Sequence, residues 1–192
     1  MNKFDYIEPT VDALLKCGFK YTLHDIDDVI LMNVSIEADN IPCINMNVEF
    51  TDLGIISFSS VIAKCSDAGR RNAVFELLNR LMYDFKFIRF TLDDDGYINA
   101  GYHLFAFSED SFVITKQVLM SMLSVTEICD RVYPLIMKTI LGIGCTDEDF
   151  EYRGGVRFGI DRKCDDVCSV TVDEEMIEQL FDLFGPECED DL

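Results

Sequence analysis

Two stretches in the first third of the chain alternate apolar and polar residues, as half-buried β-strands do. The apolar residues at every second position are Ile30, Met32, Val34, Ile36, Ile44, Met46, Val48 and Phe50. Residues 19–24 and 55–63 are also rich in β-forming side chains, and short polar segments separate the four runs. Consecutive strands joined by short turns predict an antiparallel meander.

Three other stretches repeat apolar residues at the spacing of an α-helix. Asp110 or Ser111 is placed to cap the third of these helices. Pro134 lies inside that helix and is expected to bend or interrupt it, because proline lacks a backbone N–H. The three predicted helices cover residues 9–17, 70–85 and 112–141.

A β-hairpin is predicted between the second and third helices. Residues 86–92 and 97–107 are rich in β-forming side chains, and Asp93-Asp94-Asp95-Gly96 forms the turn between them. The order helix, strands, helix, hairpin, helix does not alternate strictly. It therefore predicts an α+β fold with an antiparallel sheet of five to six strands flanked by helices.

The composition changes after Gly142, and most of the acidic surplus lies beyond that residue. We therefore expect an α+β domain over residues 1–142 and an acidic extension over residues 143–192. The extension contains a candidate pair of short strands and, from Asp173 onward, an amphipathic helix. The apolar face of that helix is formed by Met176, Ile177, Leu180, Phe181 and Phe184.

The net charge limits the partners of the protein. Asp and Glu number 36 against 16 Lys and Arg, which gives a formal charge of −20. Such a surface repels phosphate backbones and anionic lipid heads, so we expect neither a nucleic-acid nor a membrane partner. No continuous apolar run approaches the roughly 18 to 20 residues of a membrane span. The first twelve residues lack the order of a signal peptide, so a cytoplasmic location is expected.

The eight cysteines predict a reduced protein. Several of them, such as Cys17, Cys43 and Cys129, lie inside apolar runs, where a buried free thiol behaves as a small hydrophobic group. Free thiols persist in a reducing compartment, in agreement with the expected location.

Four stretches of the chain resemble the YbjN-like family, which has the fold of type III secretion chaperones. Residues 14–21 (LLKCGFKY) are similar to that family's first helix and first strand, and residues 73–81 (AVFELLNRL) to its middle helix. Residues 87–98 (FIRFTLDDDGYI) are similar to its hairpin, and residues 128–140 to the end of its last helix. The resemblance covers about residues 5–141.

The resemblance implies a non-enzymatic domain that needs no cofactor. Members of the family are described as regulators of signalling or stress responses, and chaperones of the same fold hold secretion substrates. The family further implies a homodimer that presents an apolar groove to a segment of a client protein. The chain from residue 143 onward departs from the family pattern.

Two segments imitate metal sites, and neither predicts a bound metal. Residues 91–102 are similar in spacing to a calcium loop, but Thr91 and Tyr102 stand where that loop needs a carboxylate and a bidentate Glu. A hairpin turn is the better interpretation. Cys164 and Cys168 have a spacing that zinc sites use, but no second cysteine pair or histidine lies near them.

A thiol-dependent site is the main catalytic alternative. His24 and His103 are the two histidines of the chain. A metal- or thiol-dependent redox protein built on Cys164, Cys168 and His103 remains a hypothesis, although no local motif supports a Cys–His nucleophile pair. We expect no catalytic residue.

The apolar face of the C-terminal helix is the candidate partner-binding site. It either packs on the main domain, or binds a partner or covers a groove of the chain itself. The function expected from the sequence is therefore that of a protein-binding module, of a regulatory or chaperone-like kind. A third hypothesis is an acidic mimic or inhibitor that acts through the C-terminal extension.

Overall fold

A computed structural model of the chain describes residues 6–26, 29–106, 108 and 110–150. Within this part of the chain a six-stranded sheet has the order β1-β2-β3-β4-β6-β5, and every neighbouring pair is antiparallel. The strands are β1 Lys20–Ile26, β2 Val29–Ile36, β3 Ile44–Thr51, β4 Ile55–Lys64, β5 Arg89–Leu92 and β6 Tyr97–Phe105. The predicted α+β fold with an antiparallel sheet is confirmed.

The predicted alternation decides which face of the sheet is buried. Met32 pairs with Val48 and Val34 pairs with Met46 across β2 and β3, and all four side chains are buried. The residues between them are exposed or half-buried. One face of the sheet therefore carries the core, and the other, which we call the open face, is largely polar.

Among the described residues three α-helices accompany the sheet: α1 Ile7–Lys16, α2 Arg71–Asp84 and α3 Ser111–Ile140. Single 3-10 turns cover Ala68–Arg70 and Asp147–Phe150. Asp110 caps α3, since its carboxylate accepts a hydrogen bond from the backbone N–H of Phe112 at 2.9 Å. This contact satisfies one of the unpaired donors at the helix start.

The helix α3 continues through Pro134 without interruption. Proline removes one backbone donor, but the residues around it are fixed by tertiary packing, since Val132, Leu135 and Ile136 are buried in the core. Pro134 itself is exposed, so its ring lies on the outer side of the helix.

The same helix is long and apolar enough, by length and composition, to cross a membrane. Half of its most apolar window is buried inside the protein. It contacts α1, α2 and three strands of the sheet. We therefore interpret α3 as the central core helix of a fold of the soluble type.

The hairpin strands are shorter than the sequence predicts. β5 begins at Arg89 rather than at residue 86, because the chain first makes a turn in which the Ile88 N–H bonds to the Phe85 carbonyl oxygen at 3.1 Å. β6 ends at Phe105 rather than at residue 107. This turn places Phe87 and Ile88 outside the sheet.

The helix α3 ends just before Gly142, and described residues beyond it contact α2. Gly142 has φ +74°, and the N–H groups of Gly142 and Ile143 bond to carbonyl oxygens of the last turn of α3, which ends the helix. Beyond it, the Phe150 ring lies 3.4 Å from the Arg80 guanidinium carbon. The predicted strand pair and C-terminal helix of the extension lie outside the described residues.

Candidate functional site

A groove of about 290 Å³ opens between α3 and the turn that precedes β5. We call it the α3 groove. Six of its lining residues are aliphatic or aromatic and two are serines. They are Phe87, Ile88, Tyr102, Met120, Ser121, Ser124, Val125 and Ile128.

One wall of the α3 groove is a single helical face. Ser121, Ser124, Val125 and Ile128 are spaced by three and four positions, so they lie one above another along α3. Val125 is buried, whereas the other three are half-buried. The wall belongs to the central core helix, which holds it in place.

The opposite wall comes from β6 and from the turn before β5. Tyr102 pairs with Phe58 across β4 and β6, and the two rings lie 5.7 Å apart. Ile88 is buried, but the neighbouring Phe87 is 83% exposed. An exposed aromatic side chain next to an apolar groove is a common feature of surfaces that bind partners.

Positive charge flanks the groove, in contrast to the acidic protein as a whole. Lys86 precedes Phe87 and is exposed. Lys116 lies four positions before Met120 on α3, which places it on the same side of the helix. Two lysines therefore lie beside the groove in a protein whose net charge is −20.

The polar groups that line the groove are hydroxyls. The two serines and Tyr102 supply hydroxyl groups, but the lining set contains no histidine, cysteine or carboxylate to activate them. The nearby Glu127 carboxylate is engaged by Arg131, one turn along α3. Burial nevertheless raises the pKa of Glu127, against the opposing effect of Arg131.

His103, a residue of the thiol hypothesis, lies on the open face of the sheet. Its Nδ1 atom is 3.0 Å from Ser57 Oγ on the neighbouring strand. Since Tyr102 lines the groove, the adjacent His103 projects from the other side of β6. Cys164 and Cys168, the other two residues of that hypothesis, lie outside the described residues.

Among the described residues, Cys17, Cys43, Cys65, Cys129 and Cys145 are free cysteines. Burial raises the pKa of Cys129 to about 12 and that of Cys17 to about 11. A thiol is nucleophilic as the thiolate, so these two groups are poor nucleophiles near neutral pH. Cys65 is buried and its thiol faces the Asp67 carbonyl oxygen at 3.4 Å.

The segment that imitates a calcium loop is a hairpin turn. The Asp93 carboxylate accepts the Tyr97 N–H at 2.8 Å, and the Gly96 N–H bonds to the Asp93 carbonyl oxygen at 3.1 Å. Arg71 donates to the Asp94 carbonyl oxygen at 2.8 Å. In the part of the chain that the structure describes, no three His, Cys, Asp or Glu residues are grouped to hold a metal ion.

The sequence did not reveal the groove residues. The five apolar residues predicted for partner binding, from Met176 to Phe184, lie outside the described part of the chain. The available signal was Ser121 and Ser124, which interrupt an otherwise apolar helix and mark a face that is not fully buried. The opposite wall of the groove could not be found in this way, because Tyr102 and Phe87 come to lie beside α3 only through tertiary packing.

No protein-family model matches the chain, and no match is found among curated proteins or solved structures.

Proposed function

We propose that the protein is a non-enzymatic binding module that holds a segment of a partner protein in the α3 groove. The observation that carries this proposal is the exposed Phe87 ring beside an apolar groove, one wall of which is formed by the core helix α3. Burying such a ring against a partner gains roughly 1.5 to 3 kcal/mol from the removal of apolar surface from water.

The size of the groove favours a few side chains of a protein over a free metabolite. Small-molecule sites are typically about 300 to 1,000 Å³ and enclose most of their ligand. The α3 groove, with about 290 Å³, is just below that range. An amphipathic helix laid along α3 would place its apolar side chains in the groove and its acidic ones beside Lys86 and Lys116.

The proposed module belongs to the regulatory or chaperone-like kind that the YbjN-like resemblance implies, acting in the cytoplasm without a cofactor. We also propose a homodimer. Within the described part of the chain β1 is an edge strand that exposes most of its residues, including Leu23 and Ile26, and an edge strand of this length is prone to pair with another chain. Light scattering of the full chain should give twice the monomer mass, and Leu23→Lys should lower it; a monomeric parent chain contradicts the dimer.

A displayed library of random peptides tests the binding proposal. Selection on the full chain should enrich helical peptides with apolar residues at helical spacing and acidic residues between them. Phe87→Ala should weaken the binding of these peptides about tenfold, the loss expected for a central aromatic contact.

Leu53→Ala is the matched control, because Leu53 is a large apolar residue that is 79% exposed and lies in the β3–β4 turn, outside the groove lining. This variant should bind the peptides as the parent chain does. Failure to enrich any peptide, or equal binding by the Phe87→Ala chain, would refute the proposal.

A further inference from the structure

We infer that the α3 groove is occupied in the free protein by the chain's own segment 173–184, which competes with the partner. This inference rests on the proposed function, since it takes the same groove as the binding site. Three observations carry it: the chemistry of the segment, the place where the described chain ends, and the charges beside the groove.

The segment has the composition that the groove selects. Its apolar residues Met176, Ile177, Leu180, Phe181 and Phe184 fall on one face of a helix, as the sequence predicts. The residues between and before them are mostly acidic: Asp173, Glu174, Glu175, Glu178 and Asp182. The apolar face matches the lining of the groove, and Phe87 is the exposed aromatic group that it would cover.

The described chain ends close enough for the segment to reach the groove. Phe150 packs on Arg80, and Asp149 is bonded to Lys138 near the end of α3. Lys138 and the groove residue Ile128 are ten positions apart on this helix, which corresponds to about 15 Å. About 25 residues separate Phe150 from Met176, and a chain of that length reaches up to about 80 Å. Connectivity therefore permits the contact, and the tether raises the local concentration of the segment into the millimolar range.

Charge favours this occupant over other parts of the same chain. The acidic positions of the segment match the positive charge of Lys86 and Lys116 beside the groove, whereas the protein as a whole, with a net charge of −20, repels them. Exposed ion pairs contribute little to affinity. The apolar contacts therefore supply the binding free energy, and the lysines favour acidic segments over basic ones.

Occupation of the groove by the chain's own segment lowers the apparent affinity for a partner. A partner binds only the fraction of molecules in which the groove is free, so its apparent affinity falls in proportion to that fraction. A partner that displaces the segment releases the acidic C-terminal quarter of the chain. The acidic extension is then a regulator of the groove rather than an independent inhibitor.

A single tryptophan reports on this contact, because the natural chain contains none. In the full chain carrying Phe87→Trp, the indole should be shielded from acrylamide and emit at short wavelength. Adding Leu180→Asp with Phe181→Asp should expose it, so that quenching rises several-fold and the emission shifts to the red. Gln179→Asp with Leu192→Asp adds the same charge outside the apolar face and should change neither signal.

A second tryptophan, placed away from the groove, tests whether the fluorescence change is confined to the groove. The indole of Leu53→Trp, in the β3–β4 turn, should respond to none of these substitutions. An indole at position 87 that is equally quenched with and without Leu180→Asp and Phe181→Asp overturns the inference. A change in the β3–β4 turn reporter equal to that in the groove reporter also overturns it, because the segment would then act on the whole domain.

The affinity of the peptides selected from the library distinguishes this inference from the proposed function on which it rests. They should bind the Leu180→Asp, Phe181→Asp chain about tenfold more tightly than the parent chain if the segment competes with them. Equal binding to both chains, with an unresponsive groove reporter, refutes the inference and leaves the proposed function standing. A responsive groove reporter without peptide binding to either chain refutes the proposed function and makes the groove a site of intramolecular packing.

Discussion

Gly96 and Cys65 approach each other so closely that no side chain fits between them. The Cys65 N–H bonds to the Gly96 carbonyl oxygen at 2.7 Å. A Cβ atom added to Gly96 would lie 2.3 Å from the carbonyl oxygen of Cys65, and Gly96 has φ +86°. This contact joins the end of β4 to the β5–β6 turn, which follows the Phe87 segment of the groove.

Gly96→Ala should therefore destabilise the protein by about 2 to 4 kcal/mol, through the strained backbone and the clash with a backbone oxygen. Urea unfolding followed by circular dichroism measures the loss. Gly101→Ala is the control, since a Cβ there meets nothing closer than 3.7 Å. Equal stabilities of the two variants would show that the close approach is not maintained.

Asp130 on α3 holds the loop between β2 and β3. Its Oδ1 atom accepts the N–H groups of Asn40 at 2.6 Å and Ile41 at 2.9 Å, and its Oδ2 atom accepts Asn40 Nδ2 at 3.0 Å. Ile41 is buried, so the Asp130 carboxylate holds the backbone of a core residue in the loop that follows β2.

Asp130→Ala should cost about 2 to 3 kcal/mol of unfolding free energy, because two backbone donors lose a charged acceptor. Asp130→Asn should cost less, since its amide oxygen can still accept both N–H groups. Thermal or urea unfolding distinguishes the two, with the exposed Asp95→Ala as a neutral control. A loss in Asp130→Asn as large as that in Asp130→Ala would contradict this account of the contact.

The thiols of the domain should react with a disulfide reagent in an order set by their burial. Cys43 is exposed, whereas the pKa values of Cys17 and Cys129 are raised to about 11 and about 12, which lowers the thiolate fraction near neutral pH. In the native protein, Cys43→Ser should remove one equivalent of the fast phase. Cys129→Ala should leave the fast phase unchanged, and a reduced fast phase in this variant would show that Cys129 is accessible.

The contact between Lys138 and Asp149 should make stability depend on pH at acid values. The hydrogen bond from Lys138, followed by that from the Thr146 N–H, lowers the pKa of Asp149 below its ordinary value of 3.8. The stability from this contact is present above pH 3.8 and is lost as the pH falls through the lowered folded value. The same contact raises the pKa of Lys138, so at the alkaline end the stability is lost only as the pH rises through that value.

Asp149→Asn should therefore flatten the acid limb of a plot of urea midpoint against pH. The side chains are partly exposed, so the change is small and needs a matched series in one buffer. Asp95→Asn is the control, since Asp95 lies exposed in the hairpin turn. An unaltered acid limb in Asp149→Asn would show that the contact contributes nothing to folding.

The local pattern of the chain determined most of the secondary structure. Alternation at Met32, Val34, Met46 and Val48 predicted two paired strands and their buried face, because a strand places successive side chains on opposite sides. The Asp93–Gly96 turn and the end of α3 at Gly142 followed from the freedom of glycine at positive φ. These features depend on neighbours in sequence, so the sequence alone was sufficient.

Tertiary structure decided where β5 begins, how α3 passes Pro134, and where the groove lies. The sequence contains no measure of how packing around Leu135 and Ile136 offsets the donor lost at Pro134. Nor does it show that Phe87 and Tyr102 meet one face of α3, since that contact requires the β5–β6 hairpin to pack against the helix. The groove is a product of non-local contacts, and its chemistry became visible only when the helix and the sheet were in place.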